Sequence, residues 1–252
     1  MLLKKRQNKL SWTSLNTYEQ CPFKWKRQYL EGCWGPTNIT LQFGLAMHNL
    51  GEDVFRTGEF DPKYWTQLWE EKYFRPQLLK GRLFEVPANV YSYNLNKGYK
   101  AIWTFFRSGD EYNLFKKQIP KELIEMDLSG VFQGYVLKGA SDLLIPYKDG
   151  YILVDLKTSC KERDEYARQL TLYAEFLRKR GFKIYKLAVW YMCLGKFVYV
   201  KYDRRDLVKE VYNVIKGMNA EQYPARENEY CKYCHLKAEC PLKAKKSKKV
   251  RL

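Results

Sequence analysis

The feature that most restricts how this chain can fold is a pair of β-rich runs, Gly139 to Pro146 and Tyr151 to Lys157, separated by Lys148-Asp149-Gly150. An Asp-Gly pair between two such runs predicts an antiparallel hairpin. A hairpin here brings Asp142 close to Asp155. Two carboxylates converging at strand ends are costly to keep ionised unless a cation neutralises them, so they form a candidate hard-metal pair for Mg²⁺ or Mn²⁺. Lys157 lies two residues beyond Asp155, on the same face of its strand, where its ammonium can orient a reacting water and offset transition-state charge. From these residues alone, a surface ion pair on an edge strand accounts for Asp155 and Lys157 equally well.

The apolar period changes on either side of this hairpin. Ser11 to Leu30 places Leu15, Tyr18, Cys21 and Trp25 at steps of three and four, which predicts one helical face capped by Ser11 or Thr13. Leu41 to Gln118 reads as a mostly helical, aromatic-rich insertion or wall broken at Gly58, Pro62, Pro76, Gly81 and Pro87. Val131 to Leu137 is a further β-rich run. Glu162 to Arg180 returns to the helical period, Lys183 to Cys193 and Phe197 to Tyr202 read as strands around Gly195, and Arg205 to Met218 as another helix. Strands wrapped by helices predict an α/β domain. Residues 242–252 form a basic tail, with Lys243 to Arg251 expected to be unstructured.

With 252 residues, 46% of them hydrophobic, the chain can bury a substantial core, and one compact domain over residues 1–241 is the expectation. No apolar run is long enough for a secretory signal or a bilayer span, so the reading is a soluble, cytoplasmic protein without a membrane partner. A formal net charge of +17 favours a polyanionic partner but does not separate DNA, RNA and anionic lipid. Candidate nucleic-acid contacts are Phe23-Lys24-Trp25-Lys26-Arg27, Arg163, Arg168 and the terminal lysines, since aromatics stack on bases and cations neutralise phosphates.

Asp155-Leu156-Lys157-Thr158 resembles the D-x-K-T strand motif of the RecB-like branch of the PD-(D/E)XK nucleases. Gly44-Leu45-Ala46-Met47-His48 resembles that branch's G-x-x-x-H helix motif, and Gln169 to Tyr173 its Q-x-x-x-Y motif, in the family's order. The resemblance implies a PD-(D/E)XK nuclease fold, with a mixed central β-sheet flanked by helices and a helical insertion over residues 49–118. It also implies metal ligation by His48, Asp142, Asp155 and the Leu156 carbonyl, catalysis by Lys157, and a supporting role for Gln169 and Tyr173, which lie one helical turn apart. Glu125 stands where the family often has a supporting glutamate, although a solvated carboxylate is an equal reading.

Seven cysteines without an export signal argue against a disulfide framework. Cys231-x2-Cys234-x5-Cys240 supplies three thiolates, and a tetrahedral centre takes a fourth ligand. Cys21, followed by Pro22, resembles the cysteine-proline segment near the start of the iron–sulfur RecB-like nucleases. One remote cysteine plus a C-terminal triplet is similar to AddB-type nuclease domains and to the CRISPR-associated RecB-like exonuclease family. That likeness implies a [4Fe-4S] cluster in a lobe of residues 11–32 and 226–241 joining the two ends of the chain. Zinc satisfies the same thiolates, with His235 as a substitute ligand. Cys33, Cys160 and Cys193 read as ordinary buried thiols.

The resemblance thus implies a metal-dependent exonuclease acting on single-stranded DNA or DNA ends, in CRISPR adaptation beside an integrase or in recombination and repair beside a helicase. A non-cleaving, nuclease-derived DNA-binding subunit is the alternative; it would be expected to carry a damaged metal triad. A zinc-ribbon nucleic-acid binder with an unrelated body leaves the ordered motifs unexplained.

Overall fold

The computed structural model describes residues 9–117, 119–132 and 135–243. In chain order these form β1 (Lys9–Ser11), α1 (Trp12–Gln20), α2 (Pro22–Trp25), α3 (Ile39–Thr57), α4 (Pro62–Leu68), α5 (Arg75–Lys80) and α6 (Ala88–Glu111). They continue with β2 (Ile124–Asp127), β3 (Gly130–Phe132), β4 (Tyr135–Lys138), β5 (Ala140–Tyr147), β6 (Gly150–Lys157), α7 (Glu165–Lys179), β7 (Ile184–Tyr191), β8 (Lys196–Val200) and α8 (Arg204–Asn219). The basic tail beyond Lys243 lies outside the described residues. No described helix is long and apolar enough to cross a membrane.

The described residues divide into two compact units, one within residues 37–128 and 140–203, the other within residues 9–36, 129–139 and 204–243. In the first unit a mixed five-stranded sheet runs β2-β5-β6-β7-β8, antiparallel except for the parallel pair β6 and β7. The hairpin forms with Leu143 opposite Val154 and Tyr147 opposite Gly150. Its turn, however, is Lys148-Asp149, and the left-handed backbone falls on Lys148 (φ 56°) rather than on the glycine. Gly150 is already in β6, where a Cβ would sit 2.3 Å from the Lys183 carbonyl oxygen, so close approach demands glycine there. One sheet face, with Leu143, Ile145, Val154 and Leu156, packs against Phe43, Met47 and Leu50 of α3 and Phe105 of α6 in one apolar core.

The second unit has a three-stranded sheet, β1-β4-β3, in which β1 runs parallel to β4 and β3 antiparallel. Trp25, 1% exposed, stacks on Tyr29 and Tyr223 and donates through Nε1 to Ser14 Oγ at 2.8 Å. The single helix expected over Ser11 to Leu30 is broken: Cys21 is extended (φ −159°, ψ 99°), and Pro22, which lacks an amide hydrogen, starts a new helix.

Candidate active site

Helix α3 begins at Asn38, whose side chain accepts from the Leu41 amide at 3.0 Å. Gly44, His48 and Gly51 follow at steps of four and three and so share a face. A Cβ on Gly44 would meet Thr158 Oγ1 at 3.3 Å, and one on Gly51 would meet Leu156 Cδ1 at 2.9 Å. The bare helix face therefore lies close against the end of β6, and His48 between the glycines is carried to the strand ends. Its Nε2 is 2.9 Å from Asp142 Oδ2 and its Nδ1 is 2.9 Å from Glu52 Oε1.

Asp142 on β5 and Asp155 on β6 are 7% and 3% exposed. Asp142 Oδ2 also accepts from the Leu156 amide at 2.5 Å. Asp155 Oδ2 is buried and accepts no hydrogen bond; its partner is the Lys157 ammonium at 2.6 Å, an ion pair rather than a directed bond. Burial pushes the Asp155 carboxyl up to about 6, Lys157 pulling against that shift and Asp142 adding to it. Asp142 is equally buried, but the His48 ring, Lys157 and the Leu156 amide hold it below the usual carboxylate range. Burial disfavours the imidazolium of His48, yet Asp142 and Glu52 on its two sides outweigh it and hold the ring at about 10. Burial likewise disfavours the Lys157 ammonium, and the two aspartates raise its pKa above that of a free lysine.

The ligand atoms of His48, Glu52 and Asp142 lie within 4.8 Å of one another. Glu52 and Asp142 nevertheless occupy opposite nitrogens of one ring, so a single cation bound through His48 takes one side. The Nε2 side, with Asp142 and with Asp155 held on Lys157 in the neighbouring strand, has the carboxylates to neutralise a hard divalent ion. Asp155 is not within the 4.8 Å group, so its carboxylate would have to leave Lys157 to join the donor set.

Helix α7 lies over β6 and β7 and brings in Tyr173, which is 7% exposed and receives a 3.2 Å hydrogen bond from Gln169 Nε2. Burial raises the Tyr173 pKa, and Asp155, Lys157 and Asp142 all act on it electrostatically, so its hydroxyl stays protonated beside them. The structure thus brings His48, Asp142, Asp155, Lys157, Gln169 and Tyr173 together. Two residues of the site were not anticipated. Tyr166, one turn before Gln169, places its ring under the Lys157 ammonium at 5.0 Å. Glu52 is 4% exposed at its side chain and sits one turn after His48, a spacing that could have exposed it.

Glu125 is placed elsewhere. It lies on β2 in a left-handed backbone conformation (φ 54°), and its half-exposed carboxylate pairs with Arg56 at 2.6 Å. Arg56 in turn holds Glu52 at 3.0 Å. Glu125 therefore reaches the site residue Glu52 through one intermediary, Arg56.

In the other unit, Cys21, Cys231, Cys234 and Cys240 line one cavity of about 200 Å³. The segments are joined by Phe23 donating to the Pro224 carbonyl at 3.2 Å, Arg226 to the Glu19 carbonyl at 2.9 Å and Asn228 to the Gln20 carbonyl at 3.0 Å. The Asn228 amide donates to Cys231 Sγ at 3.4 Å. No three of these sulfurs lie within 4.8 Å of one another, and all are free thiols. Cys160, expected to be buried, is exposed in the loop after β6. Cys33 and Cys193 are half-buried. Trp25 is also corrected: its indole is enclosed in aromatic packing and has no face left for a base.

The family model of the PD-(D/E)XK nuclease superfamily matches residues 9–241. Among solved structures, the chain is similar to the crystal structure of SSO0001, with 15% sequence identity, 96% of this chain and 94% of that chain covered, and a TM-score of 0.43. No curated protein matches.

Proposed function

We propose that this chain, which belongs to the PD-(D/E)XK nuclease superfamily, is a divalent-cation-dependent DNA nuclease whose reacting centre is the convergence of His48, Asp142, Asp155 and Lys157 at the open end of the β5–β6 hairpin. The observation carrying this reading is the pair of buried carboxylates, Asp142 facing the His48 imidazole and Asp155 facing the Lys157 ammonium. His48 Nε2, Asp142, Asp155 and the Leu156 carbonyl would hold Mg²⁺ or Mn²⁺, which supplies Lewis-acid charge at the scissile phosphate when bound.

The protein's own groups divide the remaining work. Lys157, kept protonated by the aspartates, acts as a fixed positive charge toward the phosphoryl oxygens rather than as a proton acceptor. The Tyr166 ring, under the ammonium at 5.0 Å, helps to hold that charge in place. Glu52 accepts from Nδ1 of His48 and so turns Nε2 toward the carboxylates. Tyr173, protonated and oriented by Gln169, offers a donor to the substrate backbone.

The finer reading is an exonuclease on single strands or DNA ends that carries a [4Fe-4S] cluster on Cys21, Cys231, Cys234 and Cys240 and works beside a CRISPR integrase or a recombination helicase. Its support is the likeness to the iron–sulfur RecB-like branch and the one cavity that the four thiols share. Thiolates around a single zinc ion stand about 4 Å apart. The same four thiolates would also satisfy one zinc ion, and metal analysis separates the two centres.

Cleavage of end-labelled single-stranded and duplex DNA with Mg²⁺ or Mn²⁺, comparing the native protein with Lys157→Ala, tests the proposal. Metal-dependent degradation lost in the variant supports it, and the label gives polarity. Native protein that binds DNA but leaves it intact across metals and substrates would move the reading to a non-cleaving binding subunit.

A further inference from the structure

Helix α6 buries Asn94, Gly98, Ala101, Ile102, Phe105 and Phe106 and turns another face to solvent. That face carries Tyr93, Asn96, Lys100, Trp103 and Arg107, at successive steps of three and four, all exposed. Tyr93 is 70% and Trp103 48% exposed, unusual for rings of this size on a helix whose other side is fully packed. From Ala88 to Gly109 the helix contains no acidic residue, while Lys97, Lys100 and Arg107 are cationic. The stripe extends for about 21 Å at the rise of an α-helix.

Its carboxyl-terminal end has a defined neighbour. A Cβ on Gly195 would meet Thr104 Cγ2 at 2.8 Å, and Trp190 Nε1 donates to Ser108 Oγ at 2.9 Å. Trp190 and Tyr191 pair with Leu156 and Lys157 in the sheet, and Gly195 lies in the turn that follows. This end of α6, with Trp103 and Arg107, thus lies beside Trp190 and the turn after β7, on the sheet face of Leu156 and opposite the face that carries Asp155 and Lys157, and Tyr93 stands farther away along the helix.

We infer that this face of α6 is a track for single-stranded DNA, with Tyr93 and Trp103 stacking on unpaired bases and Lys100 and Arg107 neutralising phosphates. The inference rests on the nuclease reading for its biological sense, but the surface stands on its own composition. Aromatic rings that alternate with cations at one helical face match a flexible strand, whose bases can turn to them; the paired bases of a duplex are closed to stacking.

Binding of a fluorescein-labelled oligo(dT) 20-mer to the full chain, in EDTA and across a salt series, tests the track without hydrolysis. Trp103→Ala is expected to weaken binding by about tenfold. The double variant Lys100→Ala/Arg107→Ala is expected to flatten the log–log salt slope by about 1.4, the loss of two phosphate contacts on a single strand. A blunt duplex of the same length should respond to Trp103→Ala much less. All three residues are exposed, and unchanged thermal melting identifies variants that fold normally. Affinity and slope equal to native in both variants would overturn the inference, as would an equal loss on duplex and single strand after Trp103→Ala. Because this assay needs no metal, loss of the stripe's effect and failure of the native protein to cleave DNA with Mn²⁺ are separate results.

Discussion

Glu52 Oε1 lies 2.9 Å from His48 Nδ1, one helical turn along α3, while the other nitrogen of the same ring faces Asp142. The glutamate therefore determines which nitrogen is available to the carboxylate pair. Glu52→Gln keeps the size of the side chain and removes its charge, so the fold should survive while the ring loses its anionic anchor. Mn²⁺ affinity measured by calorimetry should fall by about 10- to 100-fold. Glu125→Gln, acting through the exposed Arg56 pair, should change it by less than about fivefold. Equal effects from both variants would contradict the ordering of these contacts.

The protonation of the site makes metal-free stability depend on pH in a defined direction. His48, at about 10 in the folded chain against 6.5 ordinarily, binds its proton more tightly when folded. Its stabilisation is complete below pH 6.5 and is lost as pH rises through 10. Asp155, raised from 3.8 to about 6, acts in the same direction at lower pH, while the lowered Asp142 opposes it there. The Tm in EDTA should therefore fall as pH is raised from neutrality toward the His48 value. A divalent ion takes the place of the His48 proton, so the increment in Tm produced by Mn²⁺ should grow between slightly acid and slightly alkaline pH. Scanning fluorimetry with and without Mn²⁺ checks both trends, and an increment that shrinks with pH would count against His48 as a ligand.

The four cavity thiols predict a shared metal dependence. Protein purified without oxygen should contain iron and acid-labile sulfide, and Cys21→Ser or Cys231→Ser should each lose most of both. The exposed Cys160→Ser should lose neither. Elemental analysis returning zinc in place of iron would select the alternative centre.

Gly98 offers a test of packing alone. A Cβ there would lie 2.2 Å from Trp69 Cε2, and that indole is fully buried and donates to the Leu95 carbonyl at 3.2 Å. Gly98→Ala gains roughly 1 kcal/mol of helix propensity but overpacks a rigid ring, at about 1–3 kcal/mol. A net loss that lowers Tm by a few degrees is expected from calorimetric melting.

The parts of this structure legible in the sequence are those in which a local period and a chemical motif coincide. The hairpin and its two aspartates follow from alternation and a turn signal, and Gln169 with Tyr173 from one helical step. Strand β2 was not legible, because four residues with a left-handed backbone at Glu125 show no clean alternation. Trp25 was read as a nucleic-acid contact because basic neighbours signal exposure, whereas its burial is decided by Tyr29 and by the distant Tyr223. Glu52 was missed for a different reason: its i+4 spacing from His48 is a signal only once His48 is taken as a site residue, since carboxylates are common on helices.

The three-segment construction of the cysteine-bearing unit has a consequence for the order of synthesis. Residues 37–128 and 140–203 complete their own sheet and core as soon as residue 203 has left the ribosome. Cys21, translated long before, has none of its cavity partners until Cys231 to Cys240 emerge. The five-stranded sheet can therefore fold as a unit during translation. Closure of the thiol cavity waits on the synthesis of residues 231 to 240.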